Sequence, residues 1–177
     1  MADQNRIVII GGHGKVARLA AGKLRAAGYT ADSIIRNPDQ SDDVRAAGGN
    51  PVVLDIESAE IDALASAFAG ARAVVFSAGA GGGNPRRTYA VDYEAATRAM
   101  EAAAQAGVKR FVMVSYAGAD RDVHRLDPQD SFYPYAKAKH DADVKLRASE
   151  LDYTILGPAR LTAEPATGRI QRVETAG

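Results

Sequence analysis

The chain has 177 residues, in which 22 lysine and arginine residues balance 22 aspartate and glutamate residues, and it contains no cysteine. Zero net charge disfavours nucleic acid and anionic membranes as partners, and the lack of cysteine excludes disulfides, thiolate nucleophiles and cysteine-ligated zinc. No apolar run reaches membrane-spanning length, and the N-terminus lacks the apolar core of a signal peptide, so we expect one cytoplasmic domain over residues 1–177.

A glycine-rich turn follows the first apolar run. Residues 7–10 predict a buried strand, Gly11, Gly12 and Gly14 form the turn, and helical spacing begins after it. Gly11 permits a tight turn, Gly14 lets the backbone approach a ligand without an intervening Cβ, and the small Ala17 allows close helix–strand packing. Because the first N–H groups of a helix attract anions, the pattern predicts a nucleotide pyrophosphate here; a merely connecting turn is the alternative.

Strands and helices alternate along the rest of the chain. Further strands are predicted over residues 30–36, 51–55, 73–76, 110–115 and 153–156. Helices are predicted over residues 41–47 and 89–106, and three others carry the following apolar stripes: Val16, Leu19, Ala20, Lys23, Leu24 and Ala27; Ile61, Leu64, Ala65 and Phe68; Tyr135, Ala138, Lys139, Ala142 and Leu146. The polar residues 116–131 are predicted to form a long loop that borders the substrate.

Apolar strands that alternate with amphipathic helices indicate a doubly wound α/β fold, in which both faces of a parallel sheet are covered. Such sheets bind ligands at the carboxyl ends of their strands, and we expect a small-molecule substrate there. One crevice should therefore be lined by the residues just past Ile10, Ile35, Leu54, Phe76 and Val114. The helical patterns leave both a monomer and a homodimer open.

The residue that ends the second strand bears on the choice of cofactor. NAD-specific chains place Asp or Glu there to bind the ribose hydroxyls, whereas this chain has Arg36. A guanidinium group can bind a 2′-phosphate and Lys15 adds a second positive charge, so NADP(H) is favoured over NAD(H). An ordinary solvated charge is the alternative for Arg36, and Asp32 falls too early in the strand to reach the ribose. Asp55 either accepts a hydrogen bond from adenine or lies near a helix N-cap.

Tyr135 and Lys139 lie four residues apart, which places a phenol and an ammonium group on one helix face. A nearby cation lowers the pKa of a phenol, which can then protonate a carbonyl oxygen as hydride arrives at carbon. Ser115 can donate a further hydrogen bond to that oxygen. Tyr133 and Lys137 give a competing match, although Pro134 favours an extended Tyr133. A half-buried tyrosine beside a solvated lysine is the alternative without chemistry.

The histidines are not predicted to bind a metal ion. His124 and His140 share no ligand spacing with each other or with His13, and no cysteine is present to complete a zinc site. His13 is expected to face solvent rather than to act as a catalyst. Residues 80–84 are expected to form a mobile loop on the substrate side, because no strand-to-helix junction is predicted close behind them.

Six segments together resemble the atypical short-chain dehydrogenase/reductases, among them the biliverdin reductase B-like and NmrA-like proteins. They are residues 9–17, 35–38, 53–55, 106–112, 135–139 and 151–158. The resemblance implies a Rossmann-like domain that binds NAD(P)H. It implies the following contacts: Gly11, His13, Gly14, Lys15 and Val16 at the pyrophosphate, Arg36 at the 2′-phosphate, Asp55 and Ile56 at the adenine, Ser77, Ala78 and Gly79 near the ribose, and Ser115, Tyr135 and Lys139 by the nicotinamide.

Two features depart from this family's pattern. Gly157 stands where relatives usually have an arginine before the proline, and relatives usually continue past the segment like residues 161–165 into a further helix and strand. Because those elements help to close the substrate pocket of relatives, we expect a reduced or open substrate side.

The sequence favours an NADPH-dependent oxidoreductase that reduces a small carbonyl, quinone or flavin-like acceptor. In this hypothesis Tyr135 protonates the acceptor, Lys139 holds the ribose and tunes Tyr135, and Ser115 orients the acceptor. An NADP(H)-sensing protein without turnover, which docks on another protein, is the alternative. A nucleotide-sugar epimerase or dehydratase is less favoured, because such enzymes generally have a larger C-terminal substrate domain.

Overall fold

Six parallel strands form the central sheet of the protein. The computed structural model describes residues 5–162 and 164–170. The strands are β1 (Arg6–Ile10), β2 (Thr30–Ile35), β3 (Asn50–Val53), β4 (Ala73–Phe76), β5 (Arg110–Val114) and β6 (Asp152–Leu156). Their order across the sheet is β3-β2-β1-β4-β5-β6, and every neighbouring pair is parallel. This is the predicted doubly wound, Rossmann-like arrangement.

Helices connect the strands and cover the sheet. They are α1 (Lys15–Ala26), α2 (Ser41–Ala46), α3 (Ile61–Phe68), α4 (Pro85–Thr88), α5 (Ala96–Gln105), α6 (Ala119–Arg125) and α7 (Tyr133–Arg147). A short 3₁₀-helix (Pro38–Gln40) precedes α2, and a π-helical stretch (Tyr89–Ala95) joins α4 to α5. Among the described residues, no helix is long and apolar enough to cross a membrane.

The larger apolar cluster lies between one face of the sheet and helices α3, α5 and α7. Phe76 and Phe111 come from the strands, and Phe68, Met100 and Leu146 come from the three helices. Each of these side chains is at most 3% exposed. Burial of large aromatic and aliphatic side chains is the main favourable contribution to folding, so this cluster fixes how the three helices sit on the sheet.

A smaller cluster on the opposite face confirms only part of the predicted apolar stripe of α1. Ala20 and Leu24 of that stripe pack against it while partly buried, but Leu19 is 69% exposed, and the fully buried residues are Ala17 and Ala21, next to Ile7 and Ile9 of β1. Small residues at these two positions let α1 lie close to the strand. The prediction that Ala17 allows close packing is confirmed.

The region between β5 and α7 is not the continuous loop predicted for residues 116–131. It contains α6, which has Asp120 and Asp122 in its first turn and His124 and Arg125 in its last. These charges suit the helix dipole, but the helix has only two apolar residues, Ala119 and Val123. Hydrophobic periodicity therefore could not reveal it.

The helix predicted over residues 89–106 begins earlier than expected. Asn84 caps α4, its Oδ1 accepting a hydrogen bond of 3.1 Å from the backbone N–H of Arg87, and Pro85 occupies the first turn. A helix therefore does follow the glycine-rich residues 80–84 directly, contrary to the prediction. Asn followed by Pro is a signal for the start of a helix, but the prediction placed the start from the apolar spacing alone.

We predict that Phe68→Ala lowers the free energy of unfolding by about 3–5 kcal/mol, because it empties space in the larger cluster. Leu19→Ala is the matched control and should change that free energy by less than about 0.5 kcal/mol, since Leu19 is exposed. Urea unfolding of both variants measures the difference. Equal losses for the two variants would contradict the assigned packing of α1 and α3.

Candidate functional site

The turn after β1 requires glycine at two positions for steric reasons. Gly11 has φ +79°, and a Cβ on it would lie 2.6 Å from the Cα of Ala78. Gly12 donates a backbone hydrogen bond of 2.8 Å to the carbonyl of Ile34, and a Cβ on it would lie 2.5 Å from the Cβ of Ser33. The turn is thus clamped between the ends of β2 and β4.

Gly14 has a different role, because its conformation (φ −59°, ψ 150°) is open to any residue. The nearest atom to a Cβ built there is the carbonyl oxygen of Gly11, at 3.2 Å. No side chain caps the N-terminus of α1, which begins at the next residue. The first turn of α1 therefore offers backbone N–H groups and a positive dipole end to an anion that approaches past Gly14.

Two adjoining cavities lie at the carboxyl ends of the strands, with volumes of about 330 Å³ and 520 Å³. Both are lined by Gly14, Ser77, Ala78 and Gly79, so they meet over the turn. The first, the arginine-side cavity, is also lined by Gly11, Gly12, His13, Arg36, Asp55 and Ile56. The second, the tyrosine-side cavity, is also lined by Lys15, Val16, Ser115, Tyr135 and Lys139. Every residue predicted for the site lines one or both.

Arg36 lies at the rim of the arginine-side cavity, where its Nη1 donates a hydrogen bond of 2.8 Å to Oε1 of Glu57. Asp55 accepts a hydrogen bond of 3.0 Å at Oδ1 from the backbone N–H of Glu57. Asp32 instead binds Nε of Arg6 at 2.7 Å within the sheet. Asp32 is therefore committed elsewhere, and Arg36 is the charged residue that the end of β2 presents to the cavity.

His13 is half-buried rather than fully solvent-facing. Its Nε2 lies 2.8 Å from Oδ2 of Asp43, and this hydrogen bond lowers the pKa of the Asp43 carboxyl. The imidazole thus ties the turn to α2. Within residues 5–162 and 164–170, no group of three or more potential ligand side chains is placed to hold a metal ion.

Lys139 is only 1% exposed and lies at the base of the tyrosine-side cavity. Its Nζ donates a hydrogen bond of 2.8 Å to the carbonyl oxygen of Val114, at the end of β5. Burial lowers the pKa of Lys139, and the charges of Asp92 and Asp143 oppose that effect. The ammonium group is therefore held by a backbone carbonyl and is not the solvated lysine of the alternative interpretation.

The expectation that Lys139 lowers the pKa of Tyr135 is wrong for this arrangement. Burial raises the pKa of the Tyr135 phenol to about 12, and the charges of Asp92 and Asp143 add to the rise. Desolvation and the two carboxylates therefore outweigh the lysine at this phenol. Tyr135 stays protonated at neutral pH and can act as a proton donor.

The Ser115 hydroxyl faces a buried carboxylate. Its Oγ donates a hydrogen bond of 2.6 Å to Oδ2 of Asp143, while Oδ1 of Asp143 is buried and has no hydrogen-bond partner among the residues that the structure describes. Burial raises the pKa of the Asp143 carboxyl. While Asp143 is ionised, the single hydroxyl hydrogen of Ser115 is committed to it, and Ser115 presents only lone pairs to the cavity.

Asp92 and Asp143 are the main site residues that the sequence analysis missed. Asp92 is 1% exposed in the π-helical stretch, lines the tyrosine-side cavity and accepts a hydrogen bond of 3.1 Å from the backbone N–H of Ala80. Burial raises the pKa of its carboxyl too. A usable signal existed for Asp143, which follows Lys139 by four residues on the same helix face. Asp92 is buried because of the π-helical geometry of its segment, and no residue spacing in the sequence predicts that geometry.

The competing Tyr133 and Lys137 lie outside the two cavities. Nζ of Lys137 binds Oδ2 of Asp141 at 2.7 Å on the surface of α7. Tyr133 is the first residue of α7, so it is helical rather than extended as predicted. The helix buries Lys139 and leaves Lys137 exposed, and only the Tyr135 pair reaches the strand ends.

The sequence matches the NAD(P)H-binding family over residues 11–177. It is 36% identical over 167 residues to the uncharacterized sugar epimerase YhfK of Bacillus subtilis, spanning 93% of this chain and 76% of that protein. A solved structure from Bacillus halodurans is described provisionally as an NAD-dependent epimerase/dehydratase. It is 34% identical to this chain, with a TM-score of 0.83, and the match spans 93% of this chain and 74% of that one. The solved structure of the oxidoreductase ylbE from Lactococcus lactis is 30% identical, with a TM-score of 0.79. The match spans 92% of this chain and 73% of that one.

We predict that Gly14→Ala weakens NADPH binding by about tenfold or more, because its Cβ would stand where the pyrophosphate approaches the N–H groups of α1. Its free energy of unfolding should change by less than about 1 kcal/mol, since the backbone conformation suits alanine. Gly12→Ala should instead lower the free energy of unfolding by about 1–3 kcal/mol through overpacking against Ser33.

Fluorescence titration with NADPH and urea unfolding measure the two effects separately. Wild-type affinity in Gly14→Ala would contradict the role assigned to this glycine.

Proposed function

Because the chain belongs to the NAD(P)H-binding family, we propose that it is an NADP(H)-dependent oxidoreductase that reduces a small carbonyl, quinone or flavin-like acceptor. One observation carries the proposal: two cavities join over the turn after β1, with a half-exposed guanidinium group at one end and a protonated phenol beside a buried lysine at the other. Arg36 marks the first end, and Tyr135 with Lys139 marks the second. The resemblance of the chain to the oxidoreductase ylbE supports this proposal.

The residues present fit a dinucleotide. A Cβ on Gly14 would stand in the cradle where the two cavities meet, and the uncapped start of α1 would hold a pyrophosphate. The adenosine would lie toward Asp55 and Ile56, and the nicotinamide toward Tyr135. When bound, the reduced cofactor supplies a hydride to the acceptor. The side chain of Arg36 is 54% exposed at the rim, which supports a preference for the 2′-phosphorylated form.

Tyr135 has the role of proton donor. An oxygen that receives charge as hydride reaches its carbon becomes a stronger base than tyrosinate, so a phenol with a pKa of about 12 can still protonate it. The buried ammonium of Lys139 then offsets the negative charge left on the phenolate. Because Lys139 is only 1% exposed, solvent screens this attraction weakly.

Ser115 orients the acceptor in a manner that depends on Asp143. When Asp143 holds a proton, it donates that proton in the hydrogen bond to Oγ of Ser115, and the hydroxyl hydrogen becomes free to bind the acceptor oxygen. Burial, which raises the pKa of Asp143, favours this state. Asp143 is thus a positioning residue, while Ser115 and Tyr135 touch the acceptor.

A nucleotide-sugar epimerase or dehydratase is the second candidate, and the names given to YhfK and to the Bacillus halodurans protein favour it. Such an enzyme would also employ a tyrosine next to the nicotinamide, but as a base toward a sugar hydroxyl. Conversion of a nucleotide sugar without net consumption of NADPH would identify this activity. Steady consumption of NADPH with a carbonyl or quinone identifies a reductase.

We predict that Tyr135→Phe lowers acceptor-dependent NADPH oxidation by about 10²–10⁴-fold, because the variant lacks the proton donor. The NADPH dissociation constant should change by less than about threefold, since a lost phenol hydroxyl removes only one modest interaction. Tyr133→Phe is the matched control, because it removes a hydroxyl from the same helix outside the cavities and should retain turnover. The assay follows NADPH absorbance with a panel of aldehydes, quinones and flavins.

Two results would contradict the proposal. Undiminished turnover in Tyr135→Phe would remove the phenol from the mechanism and favour hydride transfer to an acceptor that needs no protein acid. Tight NADPH binding without oxidation of any acceptor or conversion of any nucleotide sugar would favour the sensing protein, whose partner affinity would differ between NADPH and NADP⁺.

A further inference from the structure

Two guanidinium groups converge on one carboxylate oxygen at the arginine-side cavity. Nη1 of Arg36 lies 2.8 Å from Oε1 of Glu57, and Nε and Nη2 of Arg87 lie 3.1 Å and 3.0 Å from the same atom. All three side chains line the cavity. Glu57 and Arg87 were not among the site residues predicted from the sequence. We name these three residues the arginine–glutamate cluster.

The cluster carries one more positive charge than negative charge. Arginine remains protonated in proteins, so Glu57 neutralises only one of the two guanidinium groups. The other carboxylate at this cavity, that of Asp55, accepts a hydrogen bond from the backbone of Glu57, and within the described residues no ion pair joins it to either arginine. The side chains of Arg36 and Arg87 are 54% and 38% exposed, so both can meet a ligand.

Neighbouring contacts hold the cluster in place before any ligand arrives. Nη1 of Arg87 donates a hydrogen bond of 3.1 Å to the carbonyl of Ala80, and Asn84 caps the helix on which Arg87 sits. Nη2 of Arg98 donates a hydrogen bond of 3.1 Å to the backbone carbonyl of Glu57. A rigid pair of forked donors suits an oxyanion with several acceptor oxygens, because less side-chain freedom is lost on binding.

We propose that Arg36 and Arg87 together bind the 2′-phosphate of NADP(H), and that the Glu57 carboxylate is a resident anion with which this phosphate competes. The inference rests on the proposed function, which places the adenosine in this cavity. A phosphate monoester carries up to two negative charges, so it matches two guanidinium groups better than one carboxylate does. The 2′-hydroxyl of NAD(H) brings no charge and leaves the ion pairs with Glu57 undisturbed. Glu57 and Arg87 therefore set the selectivity between the two cofactors.

The test measures dissociation constants for NADPH and NADH by fluorescence titration of the whole chain. The quantity compared between variants is the dissociation constant for NADH divided by that for NADPH. Glu57→Gln removes the competing charge and should raise this ratio by about tenfold, the effect of one charge-assisted hydrogen bond. Arg87→Met should lower the ratio by about tenfold for the same reason. Arg86→Met is the matched control, because Arg86 lies on the same helix but does not line the cavity, and its ratio should equal that of the wild type.

Three outcomes would overturn the inference. An unchanged NADPH dissociation constant in Glu57→Gln would show that the carboxylate does not compete with the 2′-phosphate, even if the ratio rises because NADH has lost an acceptor for its ribose 2′-hydroxyl. Equal ratios in Arg87→Met and Arg86→Met would exclude Arg87 from phosphate binding while leaving the proposed function intact. Failure of the folded wild-type chain to bind either nucleotide would overturn the proposed function together with the inference. Thermal unfolding followed by circular dichroism establishes that each variant is folded.

Discussion

The close approach of two backbones at the carboxyl end of the sheet is the constraint from which the site follows. β1 lies between β2 and β4, and the chain leaves it through a left-handed Gly11 whose Cα faces Ala78 too closely for any side chain. At this point the sheet order reverses direction, so the loops after β1 and β4 diverge and leave a crevice. The same contact places the start of α1 over that crevice, where its N–H groups face an incoming anion.

Burial of charge gives the opposite end of the crevice its chemistry. Lys139 is buried in the same region as Asp92 and Asp143, whose negative charges act on its ammonium group, and its Nζ donates a hydrogen bond to the carbonyl of Val114. Such a cluster is costly to ionise fully, because burial raises the pKa of both carboxyl groups. Tyr135 borders this cluster, and its own raised pKa follows from the same desolvation.

Sequence patterns predicted the sheet and most of the crevice because those features depend on local rules. Apolar runs predict the strands, and the tight turn predicted at Gly11 is confirmed by the positive φ of that residue. The pattern failed where tertiary contacts decide: the most deeply buried residues of α1 are the small Ala17 and Ala21, and α6 has only two apolar residues. Long-range electrostatics were equally hidden, since no spacing rule links Glu57 to Arg87 or Ser115 to Asp143.

The central claim is that a dinucleotide lies across both cavities over the turn after β1. Amide hydrogen exchange with and without NADPH, read by mass spectrometry, tests it most directly because it locates binding along the backbone. We predict slower exchange in residues 11–18 and 77–80, where the turn, the start of α1 and the loop after β4 face the cavities. Exchange in α5, which lines neither of these cavities, should not change. Unchanged exchange in both loops at saturating NADPH would contradict the account.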